Sequence, residues 1–484
     1  MRALIVTLLV SAAWLPAAAV GRPNVLFIAV DDLRPELGAY GTPAKTPHLD
    51  AFAARALRFD RAYCNQAVCG ASRLSLMTGL YPEFTGERTY HVTDWRKRWP
   101  GVVTLNQHFK AGGYETVGLG KIFHGTRGPG VDPANWSRWI PVMGGRQYLN
   151  PESLESTRRT AGRANAKTSR TKGPATEAGR GGDDDYPDGA RAAEGVRQIR
   201  RLAEAGKPFF LAIGFTKPHL PFNAPAKYWD LYKREDFSLP DNLGFPPGYP
   251  DWARNKSAGE LRAYSDIPPE GLPTGFPSGL NQRLIHGYYA CVSYVDNNVG
   301  RLLAALDQSG ASDNTIVVFW ADHGWKLGDH SSWCKHTNFE CDARVPLIIR
   351  RPGGPAGVTR ALVELIDLYP TLCGLCGLDL PDHLQGKSFE PVLDHPKAPH
   401  REFAYTSYPA KPGKESPGTV GHSIRTPVYR YTEWWENGTD RVVSSVLTNL
   451  REDPGETTNA LPKKKGFAKA LAVKLKARVL SARK

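Results

Sequence analysis

The sequence predicts an α/β protein: a large domain on a mostly parallel central sheet flanked by helices, then a smaller α+β subdomain with an antiparallel sheet. Three observations carry this. Uninterrupted apolar runs read as strands buried on both faces; helix-patterned stretches alternate with them; and after about residue 395 the pattern changes to short strands with polar alternation.

The first apolar run, residues 24–30, ends at Asp31-Asp32. Residues 208–215 form another and lead into Thr216-Lys217-Pro218-His219. The third, residues 315–320, ends at Ala321-Asp322-His323-Gly324. Helical patterning covers 46–57, 103–111, 190–204 and 282–306. In such sheets ligands bind beyond the carboxyl ends of the strands, and here all three runs deliver ionisable residues at that end. The large domain is assigned to 22–395 and the subdomain to 396–484. In the subdomain, 403–407, 422–425 and 429–434 read as strands, and Phe467, Leu471, Leu475 and Val479 as one stripe of a closing helix. Residues 233–280, dense in Pro and Gly, read as a long ordered excursion over the surface.

Composition excludes disorder: of 484 residues, 41% are apolar and 23% charged, enough apolar material to offset chain entropy. Residues 1–19 read as an export signal, with Arg2 ahead of an apolar core and Ala17-Ala18-Ala19 as cleavage site. No run approaches the ~20 apolar residues of a spanning helix. The expectation is an exported protein, periplasmic or secreted, without a transmembrane segment. That compartment would permit a Cys334–Cys341 or Cys373–Cys376 bridge, and spacing does not choose between pairings.

The net charge of +14 suggests an anionic partner. Residues 463–484 hold nine Lys or Arg and no acid, and residues 142–182 hold eight against three Glu. The excess therefore belongs to a tail and to a basic insertion, 142–188, of which 145–188 reads as loop or disorder. The rest is formally neutral, and a nucleic acid is not the expected partner.

Two adjacent carboxylates at a buried strand end cannot both stay charged in a dry cleft without a cation. Asp31, Asp32, Asp322 and His323 therefore form a candidate metal site. The oxygen-rich set favours calcium or magnesium over zinc, while the one imidazole leaves the choice open. Taken singly, each pair would also serve as a helix cap or a salt-bridged pair.

Cys69-Gly70-Ala71-Ser72-Arg73 begins a helix-forming run that reaches Thr78-Gly79. This segment resembles the signature of the formylglycine-dependent sulfatases, whose usual form is Cys-x-Pro-Ser-Arg; Ala71 stands where Pro is commonest and is an accepted variant. Asp31-Asp32-Leu-Arg-Pro, Gly120-Lys121-Ile-Phe-His124, Lys217-Pro-His219, Asp322-His323-Gly-Trp325, Trp333-Cys-Lys335-His336, Ser423-Ile-Arg-Thr426 and Tyr429-Arg-Tyr431 are similar in order to the iduronate-2-sulfatase branch. The likeness spans about residues 23–460.

The resemblance implies an alkaline-phosphatase-like catalytic domain and hydrolysis of a sulfate ester on a sulfated sugar, a uronate 2-O-sulfate in particular. It implies one calcium ion, magnesium less readily, held by Asp31, Asp32, Asp322, His323 and Cys69. Cys69 would be oxidised to formylglycine (3-oxoalanine) by a maturation enzyme able to accept Ala71. Arg73 would sit beside the nucleophile, Lys121 and Lys335 would bind sulfate oxygens, His219 would protonate the leaving oxygen, and His124 would take a proton from the hydrated aldehyde. His219 and Lys335 are also candidates to read a uronate carboxylate. The alternatives are a phosphatase or phosphodiesterase on the related scaffold, and an inactive polyanion-binding module; Cys at the signature argues against the first and the complete polar set against the second.

Overall fold

The computed structural model describes residues 21–484 apart from 91, 93, 127, 163–171, 255–257, 272 and 411–417. The export signal lies outside the described residues. Among them, no helix is long and apolar enough to cross a membrane.

The central sheet has nine strands. Its order runs Gly357–Thr359, Leu57–Tyr63, Arg344–Arg350, Thr315–Ala321, Asn24–Asp31, Phe209–Pro218, Glu115–Gly120, Arg138–Ile140, and Val363–Glu364 also pairs with Leu57–Tyr63. Arg344–Arg350 runs antiparallel to both neighbours, and every other neighbouring pair is parallel. The predicted apolar runs occupy the middle, where Asn24–Asp31 is buried along its whole length. Helices Pro47–Ala54, Pro187–Ala205 and Leu280–Gln308 pack together in one group, and Cys69–Thr78, Leu105–Ala111 and Leu368–Leu375 in another. One contiguous apolar core joins strands and helices.

The subdomain sheet pairs Ala404–Ala410, Thr419–Arg425, Tyr429–Glu436 and Val442–Asn449 antiparallel in that order. The last strand was not anticipated. Helix Lys465–Ala482 closes this sheet, burying Ala468, Leu471, Leu475, Val479 and Ala482. Phe467 is 43% exposed, so the buried stripe is set by Ala468 and Ala482 rather than by the ring at its start. Tyr81 and Ile366 of the large domain share this second core.

Two expectations are corrected. The stretch 145–188 is not a structureless loop: Pro151–Gly162 is helical, Thr176–Gly179 pairs in parallel with Phe222–Pro225, and helix Pro187–Ala205 begins inside it. Buried Glu177 explains the order. Its carboxylate accepts the N–H groups of Leu149 (2.9 Å) and Asn150 (3.1 Å) and the Tyr186 hydroxyl (2.6 Å). One carboxylate thus ties three segments together, where composition shows only a stretch rich in Gly, Arg, Thr and Ser. All seven cysteines are free, so neither anticipated pair is bridged.

Candidate active site

Four adjacent parallel strands deliver the site from their carboxyl ends. Register sets Val30 beside Ala321 and Asp31 beside Pro218, so Asp31-Asp32, Asp322-His323 and His219 emerge together. Gly120 pairs with Gly214 and presents Lys121 next in line. Both glycines are required sterically: a Cβ on Gly120, at φ +73°, would lie 2.0 Å from the Gly214 oxygen, and one on Gly214 would lie 2.2 Å from the Lys121 carbonyl carbon. Asp32 adopts φ +60°, a region that Asp tolerates better than most residues. Its N–H donates to Asp322 Oδ1 at 3.1 Å.

Helix Cys69–Thr78 meets these strand ends with its first residue, and all ten of its residues are buried. Gly70 permits the approach, since a Cβ there would lie 2.5 Å from the Thr89 carbonyl oxygen. Cys69 Sγ stands 3.2 Å from His323 Nε2. The ligand atoms of Asp31, Asp32, Cys69 and His323 all lie within 4.8 Å of one another. Asp322 adjoins this group with its oxygens already engaged: Oδ1 accepts the His323 N–H at 3.0 Å, and Oδ2 accepts Arg73 Nε at 2.8 Å.

Arg73 is fully buried. Its guanidinium also donates to the carbonyls of Lys121, Ile122 (3.3 Å) and Val30 (3.3 Å), and Nη2 lies 3.5 Å from Asp31 Oδ1. A buried, fully paired fork of this kind fixes carboxylate positions better than a lysine could. Lys121 Nζ pairs with Asp31 Oδ2. Lys335 Nζ lies 3.0 Å from Asp32 Oδ1 and over the Trp325 ring at 4.8 Å.

The electrostatics match a cation site. Burial pushes Asp31 up, but Lys121, His219 and Arg73 together outweigh it and hold the carboxyl well below the usual range. Burial drives Asp32 up to about 8, against Lys335 and with the help of charged Asp31. The protein's own lysines thus keep one of the two carboxylates ionised and not the other, and a divalent cation would satisfy both. The donor set of carboxylates, one imidazole and one sulfur position therefore fits a divalent ion. The Cys69 thiol is pushed well above its ordinary value by burial and then by Asp31, so unmodified it stays neutral and unreactive.

His219 lies 3.9 Å from Asp32 Oδ2 through Nε2, and its Nδ1 meets the Leu220 carbonyl at 2.7 Å. His124 is half-buried beside the Tyr90 ring at 6.0 Å, and its buried Nδ1 has no hydrogen-bond partner among the described residues. Burial, then Lys121, pushes its pKa down to about 3. The structure thus brings the ten candidate site residues, Asp31, Asp32, Cys69, Arg73, Lys121, His124, His219, Asp322, His323 and Lys335, into one neighbourhood at these strand ends.

One neighbour was missed. Glu260 reaches in from the Pro/Gly-rich excursion, with Oε1 2.6 Å from His219 Nε2 and Oε2 2.8 Å from Lys335 Nζ. Nothing in the local sequence marks it, since it joins the site only through the path of its loop.

Comparison with known proteins agrees with this geometry. The family model for Sulfatase matches residues 23–378, and that for N-sulphoglucosamine sulphohydrolase, C-terminal, matches 328–484. Iduronate 2-sulfatase of Mus musculus is 33% identical over 482 residues, covering 85% of this chain and 84% of that protein. A solved structure of BT4656 with its substrate D-glucosamine-2-N,6-O-disulfate aligns at TM-score 0.71 and 22% identity over 96% of this chain and 97% of that one. The phosphonate monoester hydrolase of Agrobacterium radiobacter aligns at TM-score 0.69 and 25% identity, over 95% and 96% of the two chains. The expected alkaline-phosphatase-like architecture is borne out. The chain belongs to the sulfatase family, near its iduronate 2-sulfatase branch, and is a sulfuric ester hydrolase.

Proposed function

We propose that this enzyme removes the 2-O-sulfate of a uronate in a sulfated polysaccharide or its fragments, using formylglycine made from Cys69 and a calcium ion. The observation that carries the chemistry is the meeting of Cys69 Sγ, His323 Nε2 and two buried carboxylates at the start of the Cys-Gly-Ala-Ser-Arg helix. The uronate assignment rests on the likeness to iduronate 2-sulfatase.

Asp31, Asp32, Cys69 and His323, with Asp322 beside them, would hold the ion. When bound, the ion would polarise a sulfate oxygen and the hydrated formylglycine would supply a nucleophilic hydroxyl. The chain's own residues do the rest. Lys121 and Lys335 offer compact positive charge to the sulfate oxygens as charge develops in the transition state. Arg73 keeps Asp31 and Asp322 in place. His219 donates a proton to the departing sugar oxygen. His124, neutral and with a buried Nδ1 that has no partner among the described residues, accepts a proton from the nucleophile's second hydroxyl. Ala71 occupies the first turn of its helix, where the backbone N–H needs no intrahelical partner, so the folded helix tolerates Ala or Pro at that position. Residues 1–19 would direct the enzyme to the periplasm or outside the cell.

Mass spectrometry of the Cys69 peptide from active enzyme tests the nucleophile: formylglycine is about 18 Da lighter than cysteine, and its absence refutes the mechanism. Substrate class is tested with paired disaccharides carrying or lacking the uronate carboxylate. A clear preference for the uronate is expected. Equal kcat/KM values reject a uronate reader, and release of phosphate alone rejects the sulfatase reading.

A further inference from the structure

A second cationic recess lies apart from the catalytic cluster. A cavity of about 370 Å³ opens between the sheet edge and the C-terminal subdomain, lined by Arg61, Arg344, Arg360, Arg425 and Arg451 against only Asp60 and Glu340. Arg61 and Arg344 come from the paired strands Leu57–Tyr63 and Arg344–Arg350, where Arg344 is opposite Tyr63. Arg425 ends a strand of the C-terminal sheet.

Both acids are already committed. Glu340 Oε1 accepts Arg425 Nε at 2.9 Å and Arg430 Nη2 at 2.6 Å. Asp60 Oδ1 pairs with Arg58 at 3.0 Å, and Arg360 reaches its other oxygen only at 3.9 Å. Among the described residues, Arg61, Arg344 and Arg451 have no carboxylate within ion-pair distance. Arg61 makes one side-chain hydrogen bond, Nη1 to the Arg360 carbonyl at 3.4 Å, and Arg344 Nε donates to the Asp60 carbonyl at 2.7 Å. Burial, then the like charge of Arg425, depresses the Arg61 guanidinium. The recess therefore holds positive charge that the protein leaves uncompensated, on side chains whose planar forks suit sulfate or carboxylate oxygens.

The recess is also placed to matter for catalysis. In the sheet order, Leu57–Tyr63 lies three positions from Asn24–Asp31, roughly 14 Å at the usual strand spacing. Tyr63 and Arg344 stand at the same edge of the sheet as Asp31, because Arg344–Arg350 runs the opposite way. A chain of a few sugar rings spans that separation.

We infer that this arginine recess binds an anionic group, a sulfate or uronate carboxylate, on a part of the polymeric substrate distant from the ester being cleaved. The inference rests on the polysaccharide reading above and adds to it a second contact that short substrates lack.

Arg61→Gln/Arg451→Gln enzyme is compared with wild type by calorimetric titration with a sulfated uronate–hexosamine hexasaccharide, the 2-sulfated disaccharide and inorganic sulfate. Arg451→Gln alone, on an exposed side chain, guards against misfolding, and Arg61→Lys/Arg451→Lys separates charge from fork geometry. The double Gln variant should bind the hexasaccharide about tenfold more weakly, an effect of ~1.4 kcal/mol, with the disaccharide unchanged and the Lys variant partly rescued. Three results would overturn the inference: unchanged hexasaccharide affinity, an equal loss on the disaccharide, or a loss for inorganic sulfate alone, which marks a free-anion site. Because the readout is binding, failure of the catalytic proposal would leave these outcomes legible.

Discussion

The Glu260 carboxylate is seated against His219, with Oε1 2.6 Å from Nε2. Its second oxygen meets Lys335 at 2.8 Å, so one internal anion occupies two of the groups proposed to engage the substrate. Burial raises Glu260, but Lys335 and His219 outweigh it and hold the carboxyl well below its usual range. A substrate sulfate must compete with this charge. Glu260→Gln keeps the shape and removes the charge, so inhibition by inorganic sulfate should strengthen about tenfold, the equivalent of ~1.4 kcal/mol. The inhibition constant measured on a chromogenic sulfate ester checks this; an unchanged constant would mean that Glu260 withdraws at no cost.

Metal removal should act on stability as well as rate. Asp31, Asp32 and His323 are fully buried, and without a cation the burial of the two carboxylates is opposed only by neighbours such as Lys121 and Arg73 at Asp31 and Lys335 at Asp32. Chelation should abolish turnover and lower Tm, and calcium should restore both. At a calcium level of about 1,000 times Kd the stabilisation is ~4 kcal/mol. Asp31→Asn should remove most of the calcium-dependent rise in Tm. A Tm indifferent to chelator and calcium would argue against a cation at this cluster.

The strand ends were legible because a strand buried on both faces leaves an unbroken apolar run, and a polar pair that interrupts it marks the sheet's carboxyl edge. Asp31-Asp32 and Asp322-His323 are of that kind. Glu260 was not legible, because Pro- and Gly-rich chain carries no periodicity and its path is set by packing elsewhere. The order within 145–188 escaped for a related reason: buried Glu177 acts through three backbone and hydroxyl donors, none visible as a local pattern. Charge counting located the excess in the insertion and tail, yet a formally neutral body still concentrates Arg61, Arg344 and Arg425 at one seam. Strand register and domain packing, rather than proximity in sequence, bring them together.

Acid stability should depend on Asp367. It is fully buried between Arg401, which pairs with both its oxygens, and His400 Nε2 at 3.1 Å. Burial raises its pKa, but Arg401, through charge and hydrogen bonds, and His400 hold it far below the ordinary carboxylate value. A depressed folded-state value contributes stability that is fully present above the unfolded pKa of about 3.9 and is lost as pH falls toward the folded one. Thermal melts should therefore hold near neutrality and decline steeply below about pH 4. Arg401→Gln should cost about 3–5 kcal/mol at pH 7 by stranding a buried charge, and less at pH 3, where the carboxyl can be neutral. An equal loss at both pH values would assign the effect to packing.

The basic tail divides into a structural face and a charged one. Leu475 and Val479 are fully buried and Leu471 nearly so, and each contributes roughly 2 kcal/mol of apolar burial. Deleting residues 463–484 would therefore expose the second core and destabilise the subdomain, which confounds any test of the charge. Lys463, Lys465 and Lys469 are exposed and make no ion pair among the described residues. Lys474 pairs with Glu402, and Lys476 and Arg483 approach Asp440 at 3.8 Å and 3.2 Å. Replacing these three lysines with Gln should leave folding stability within about 0.5 kcal/mol of wild type and leave disaccharide turnover unchanged. Capture of a long sulfated polymer should weaken, and its dependence on salt should become shallower, because the variant brings fewer charges to the polyanion. Unchanged capture and salt dependence would show that these lysines only solvate the helix, leaving the arginine recess and the catalytic cluster as the anion-binding parts of the molecule.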